Sequence, residues 1–250
     1  MSDLLQYLAR LTSAQSVEEL WTRHCVRMAG FGIDRLIYGF TRYRTESGLG
    51  DPQDMVLLSN LPRTYMDGFI DDGLFLEAPM VRWALEHEGS CSWRQIGDML
   101  TAQPSARMER VIEFNRAHGV NVGYSISFHS VSRRAKGAVG LIAREGLSQD
   151  DMDAIWARHG VEIELLNTVA HLKLLTLPYS AGRQLTSRQR EVLEWVGDGK
   201  TTADIAQIMG LTAATIEKHM RLAREAMDVD TTAQAVLKAS FQNQMFVLGQ

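Results

Sequence analysis

Between Thr212 and Arg224 the chain sets out hydrogen-bonding side chains at helical spacing. Ile216, Met220, Ala223 and Met227 recur at steps of four, three and four, so they share one side of a helix, while Lys218, Arg221 and Arg224 project elsewhere. An arginine fork matches guanine O6 and N7, and a glutamate accepts from cytosine N4. Arg221 and Glu217, with Thr215 and Lys218, are therefore candidates for reading base edges; Lys200, His219 and Arg224 suit phosphate oxygens. Each alone could equally sit on a solvated helix face, and the context of the segment decides between the two.

That context is a set of four helices. Thr202–Met209 is a short apolar-patterned helix ending at Gly210, a residue suited to the left-handed backbone of a helix C-terminus. Thr212 then stands as N-cap of the long helix and joins the candidate contacts at its first turn. Helix, glycine turn and capped second helix make a helix-turn-helix. Thr186 to Gly199 precedes the pair as a capped helix, and Thr232 to Phe241 reads as a fourth.

This stretch resembles the C-terminal DNA-binding domain of LuxR-type regulators. The family's signatures occur in order and at its spacing: Leu185-Thr186 with Arg188, Glu191-Val192-Leu193, Gly199-Lys200-Thr201, Asp204-Ile205-Ala206, Thr215-Ile216 with His219, and Gln234-Ala235-Val236. Gln189 departs from the family's usual glutamate; a capping role survives that exchange and a salt bridge does not. The resemblance implies double-stranded DNA with a palindromic operator as partner, bound by a homodimer.

The charge balance opposes an easy nucleic-acid reading. Of 250 residues, 26 are Lys or Arg and 30 Asp or Glu, a net charge of −4, whereas DNA affinity comes largely from cations neutralising phosphates. From Leu185 onward seven bases face eight acids, so DNA binding requires segregation of charge by face and two copies to double the contact. The length suits two domains, and 45% hydrophobic residues allow a core in each. The two cysteines, Cys25 and Cys91, form no metal-ligand cluster or disulfide framework, and His24 and Cys25 read as packed helix residues. No signal peptide or membrane-length apolar run is present, which predicts a cytoplasmic protein with no membrane partner.

The first 175 residues mix helical and strand periods. Ser2 caps a helix bearing Leu4, Leu5, Leu8 and Leu11, and a second runs from Val17 to Gly30. Strand alternation appears at Arg35–Tyr43, Met55–Leu58, Tyr124–His129 and Ala138–Ala143, with helices at Leu61–Asp71, Pro79–Glu88 and Pro104–His118. The basic run Arg133-Arg134-Ala135-Lys136-Gly137 reads as a solvated hairpin. Ser148 starts a long helix with the stripe Met152, Ile155, Trp156, His159, Ile163, Leu166 and Ala170, which covers the sheet or meets a second copy. The predicted class is α+β: an N-terminal α/β/α sandwich with an antiparallel sheet over 1–175, a Pro/Gly linker over 176–184, and a four-helix helix-turn-helix domain over 185–250.

The N-terminal half also resembles, with fewer matches, the family's ligand-binding domain, in which an acyl-homoserine lactone lies between sheet and helices. Pro79, Trp93, Gly119 and Gly123 keep the family pattern. The lactone-contacting positions do not: Tyr65 stands for an indole, Phe69 for a tyrosine, and Ala78 for the carboxylate, with Glu77 adjacent as a replacement acceptor. Tyr124, Ser125 and Ser127 lie on a strand that could face the pocket, although period two does not say which face is wet. All the aromatics could be plain core. The resemblance implies a small-molecule signal, an acyl-homoserine lactone or a related ligand, and no other cofactor. The alternatives are a different small molecule, or a ligand-independent module that heterodimerises with other regulators. A phosphorylation-controlled receiver lacks its acidic pair, aspartate and lysine, and an enzyme lacks a serine elbow, phosphate loop, metal cluster or carboxylate pair.

Overall fold

Alternating side chains in the N-terminal half sort onto two sheet faces, and each face has its own cover of helices. In the computed structural model, which describes residues 3–45, 48–100, 105–179 and 184–246, five strands form one antiparallel sheet. They are β1 (Ile33–Thr41), β2 (Val56–Ser59), β3 (Gly89–Ser92), β4 (Gly123–Ser127) and β5 (Lys136–Ala143), in the order β2-β1-β5-β4-β3. The surrounding helices are α1 (Asp3–Thr12), α2 (Val17–Ala29), α3 (Arg63–Met66, continued by a π-helical turn to Asp71), α4 (Pro79–Glu86), α5 (Trp93–Leu100), α6 (Ala106–Ala117) and α7 (Gln149–Leu174). The contact density divides the chain at Leu175, with Thr176–Gln250 as a second unit.

Register fixes which residues share a face. Leu36 pairs with Leu141, Tyr38 with Val139, and both pairs face α2 and α7; the Tyr38 hydroxyl is hydrogen-bonded to His171 Nδ1 at 2.8 Å, and Trp21 lies 6.3 Å from the Tyr38 ring. One residue along, Ile37 pairs with Gly140 and Gly39 with Ala138, facing α3 to α6, and Ile37 and Ala138 pack with Tyr65, Phe75, Trp83 and Trp93. The expected α/β/α sandwich is therefore the observed one. β3 and α5 were not predicted: Gly89-Ser-Cys-Ser92 has no apolar alternation to mark it as a strand, and it pairs only along its backbone with β4. At Gly123 a Cβ would lie 2.2 Å from the Leu141 carbonyl oxygen, so only glycine fits that crossing. Ser2, and Pro104 at the start of the helix predicted over Pro104–His118, lie outside the described residues; Ser105 is the observed cap of α6. Ser148 and Asp151 cap α7 reciprocally.

Two buried polar clusters tie the α2/α7 layer together. His24 accepts from Tyr7 at Nδ1 and must donate from Nε2, because its partner there is the carbonyl oxygen of Asn167, at 3.0 Å. Asn167 in turn donates to Ile163 O and faces Met28 Sδ. His171 stacks on Phe128 at 4.2 Å and 2°. Burial pushes both imidazoles down to about 4. Cys25 is pushed up to about 12 by burial, which leaves it without thiolate character.

The second unit comprises α8 (Ser187–Gly197), α9 (Thr202–Met209), α10 (Ala213–Met227) and α11 (Thr232–Phe241). A threonine opens each: Thr186, Thr201, Thr212 and Thr231 all accept the amide three residues on. Gln189 completes the Thr186 capping box, its side-chain oxygen accepting from Thr186 N at 2.9 Å. Gly210 takes the left-handed conformation that ends α9, at φ 65°. Leu193, Ala223, Met227 and Ala235 form one core cluster and Val192, Ile205, Ile216 and Met220 a second. Leu177 and Tyr179 bond to Asn243 and Gln242, within this unit, whereas 180–183 of the expected linker, and 247–250, lie outside the described residues. Among the described residues no helix is long and apolar enough to cross a membrane.

The two neutral histidines make stability depend on pH in a definite direction. Their ordinary value is 6.5, so between about 6.5 and 4 the unfolded chain binds more protons than the folded one. The stabilisation is fully present above about 6.5 and is lost as pH falls toward 4. With two protons involved, the unfolding free energy of the N-terminal unit is expected to fall by up to about 2.7 kcal/mol per pH unit. Urea titrations across that window check this, and H171F should roughly halve the slope; a flat profile would show that the histidines ionise in place.

Candidate functional site

Small residues on the α3–α6 face of the sheet leave space that large ones on the other face do not. Gly39, Ala138 and Gly140 floor a cavity of about 820 Å³, counting the part open to solvent, and Tyr65, Phe69, Met80 and Trp93 close over it. The lining is almost wholly apolar, as ligand pockets are.

Of the predicted ligand contacts, the structure brings Tyr65, Phe69 and Trp93 to the cavity wall. Tyr65 is 1% exposed, stacks on Phe69 at 5.1 Å and donates its hydroxyl to Asn115 Oδ1 at 2.9 Å. Burial raises its pKa, so the hydroxyl keeps its proton. Trp93 donates Nε1–H to Ser125 Oγ at 2.9 Å, which makes Ser125 a buried support for the indole. Ser127 donates to the Ala84 and His87 carbonyls and is used up there. Ala78 is fully buried as the N-cap of α4, its methyl part of the core.

None of Ala78, Ser125 and Ser127 lines the cavity, and the two remaining expected contacts point elsewhere. Tyr124 points to the opposite face, stacked on Trp156 of α7 at 4.0 Å, because it is one residue out of phase with Ser125. Its hydroxyl donates to Asp153 Oδ1, which also accepts from Ser92 and Gln149. Burial would raise the Asp153 pKa, yet these bonds and the Arg94 charge hold it below the ordinary range; burial and the Asp153 contact push Tyr124 up to about 12. Glu77 pairs with Arg107 at 3.5 Å, one-third exposed, and does not line the cavity. No carboxylate replaces the one that Ala78 lacks among the lining residues.

Sequence reasoning missed three polar groups at this site. Asn115 could have been noticed, since it falls on the buried face of α6 with Met108 and Val111. Asn115 reaches the site only through Tyr65, whereas Thr41 and Lys136, opposite one another on β1 and β5, line the cavity. Lys136 is not in a solvated hairpin: it is 9% exposed, and its Nζ donates to His87 O at 2.9 Å.

In the second unit, Ile216, Met220, Ala223 and Met227 face inward and leave an outer stripe of Ala214, Glu217, Lys218, Arg221 and Glu225 on α10. Lys200, Thr212, Glu217, Lys218 and Arg221 are exposed; Thr215, His219 and Arg224 are half-buried. Several already have partners. Thr212 caps α10 through Thr215 N, Thr202 donates to Glu217 at 3.1 Å, Arg221 pairs with Glu225, and Arg224 donates to Thr232 Oγ1 at 3.0 Å.

Residues 16–174 match the autoinducer binding domain family, and residues 183–239 match the family described as bacterial regulatory proteins, luxR family. The chain belongs to the LuxR family. It is a transcriptional regulator with an autoinducer-binding domain and not an enzyme. Similar proteins include the quorum sensing-dependent transcriptional regulator RpaR of Rhodopseudomonas palustris, 28% identical over 209 residues, covering 80% of this chain and 81% of that one. The transcriptional activator LuxR of Aliivibrio fischeri is 24% identical over 190 residues, covering 74% and 73%. Escherichia coli SdiA shares the fold with a TM-score of 0.53 at 17% identity, covering 98% of both chains. CepR2 of Burkholderia cenocepacia, titled N-acylhomoserine lactone dependent, gives 0.52 at 17% identity over 69% of this chain and 93% of its own.

The Tyr65–Asn115 bond yields a stability prediction for this family member without ligand. Y65F strands a buried amide oxygen and is expected to cost about 1–3 kcal/mol in urea unfolding. Adding N115L removes the stranded group and should recover most of that loss. Unchanged stability in Y65F would show that the pair is not formed in solution.

Proposed function

We propose that this chain is a ligand-controlled transcriptional regulator whose signal is a small, mostly apolar molecule held between the sheet and α3–α6. The observation that carries this reading is the apolar cavity inside an autoinducer-binding domain whose polar fixtures are already bonded to the protein. Ligand occupancy biases the dimer or the arrangement of its domains, and that equilibrium sets affinity for a palindromic operator in the cytoplasm. A homodimer is supported by the exposed apolar row Val161, Leu165 and Leu172 on α7, and by the charge deficit of a single DNA-binding unit.

An acyl-homoserine lactone is the second reading. Trp93 and the Tyr65 hydroxyl favour it as donor groups at the wall, though both are spent on Ser125 and Asn115 in this state; Ala78 and Phe69 oppose it, since they offer neither an acceptor nor a hydroxyl. Thermal shift and operator retention with a panel of lactones of graded acyl length separate the two. We expect no lactone to raise the melting temperature as far as an apolar ligand of equal size does. A single lactone doing so, and tightening operator binding with it, would decide for the second reading.

On DNA, Thr212, Thr215, Glu217, Lys218 and Arg221 are the proposed groove-side contacts, and Lys200, His219 and Arg224 the backbone-side ones. R221A is expected to cost about 1–3 kcal/mol of discrimination between operator and scrambled DNA in fluorescence anisotropy. E225Q releases Arg221 and should tighten operator binding roughly two- to fivefold. Unaltered selectivity in R221A would remove that side chain from the base-reading set.

A further inference from the structure

Lys136 is a buried cation on the wall of an apolar cavity, and its surroundings do not neutralise it. The ammonium donates to one carbonyl, His87 O just past the end of α4, and no carboxylate lies within ion-pair distance among the described residues. Glu88, the acid whose charge acts on it, is engaged with His129 Nδ1 at 2.5 Å. Arg44 adds a like charge, and burial lowers the lysine pKa from its ordinary value. An ammonium has three donors, and burying one without a counter-charge is costly. Position matters as well. Lys136 stands four residues along β5 from Gly140, the residue that Trp93 lies over, so the cation and the aromatic end of the cavity are about 13 Å apart.

We propose that the cavity binds an amphiphile with a carboxylate head, a fatty-acid-like molecule, whose head group pairs with Lys136 and whose chain runs toward Trp93 and Tyr65. The proposal rests on the reading of this cavity as the ligand site. A carboxylate supplies the missing counter-charge and accepts a charge-assisted bond, while the rest of the lining accepts only hydrocarbon. A phosphate head would bring more charge than one ammonium can match. Thr41, opposite Lys136 in the sheet, already donates to Leu49 O and accepts from Tyr43 N, so it offers the head group little.

The test is calorimetric titration of the full chain with decanoic acid and with methyl decanoate, which keeps the hydrocarbon and loses the charge. Wild type is expected to bind the acid at least tenfold more tightly than the ester. In K136M the acid should lose that advantage while ester affinity stays within twofold, which also shows the cavity intact; K136R should keep the preference. Equal binding of acid and ester by wild type, or an acid preference that survives in K136M, would overturn the proposal and leave Lys136 as a cap on the end of α4. If neither molecule binds wild type, the ligand-site reading falls and takes this one with it.

Discussion

Ile37, Gly140 and Ser125 are register partners across the middle of the sheet, and the central one has no side chain. A Cβ at Gly140 would lie 3.1 Å from Ile37 Cγ2 and 3.7 Å from the Trp93 ring, and one at Gly123 would lie 3.3 Å from the same indole. The indole covers a bare patch of sheet and is held there by its bond to Ser125. With Trp93 fixed low against the strands, the aromatics of α3 and its π-helical turn have to roof the space from above. Interiors pack to nearly crystalline density wherever side chains can interdigitate, so a hollow persists only where residue sizes forbid filling it. On the other face Tyr38, Phe128 and His171 pack ring against ring.

The hollow is dry in chemical character because its polar groups have been turned to structural use. Tyr65 holds Asn115, Trp93 holds Ser125, Thr41 holds Leu49, and each bond removes a donor that a ligand would otherwise meet. Loss of a carboxylate at Ala78 completes the change. Shape and apolar area must then supply most of the affinity, and discrimination by hydrogen bonding shrinks to whatever is left unpaired. Such a wall favours length and girth over head-group chemistry except at one end.

Much of the architecture was legible because local signals agreed with it. Four threonine caps and a left-handed glycine mark the C-terminal helices without reference to any contact, and Gln189 kept its place because capping needs an acceptor and not a charge. The site was less legible. Alternation put Tyr124 and Ser125 on opposite faces but could not say which faced the cavity, and only the pairing with β5 resolves that. Lys136 was hidden by its neighbours: in a run with Arg133 and Arg134 a lysine reads as solvated, and its burial comes from the end of α4, some fifty residues earlier. β3 left no trace because an edge strand of glycine and serine is specified by its partner's backbone.

The near-neutral DNA-binding unit fits a regulator better than a more basic one would. Phosphate contacts raise affinity for every sequence alike, so a strongly cationic domain would stay on DNA whatever the sensor reported. On α10 the outer stripe alternates Glu217, Lys218, Arg221 and Glu225, and three of these four are bonded within the unit before any DNA arrives. On the proposed reading, contact with an operator has to replace those internal bonds, which leaves a modest net gain that depends on matching bases. Allosteric coupling of 1–3 kcal/mol is typical, and it moves occupancy far only when the intrinsic affinity is close to the threshold. If α10 reads the operator as proposed, its internal pairing keeps affinity near that threshold, and the weak charge that counted against DNA binding in the composition is what lets a ligand's small contribution decide occupancy.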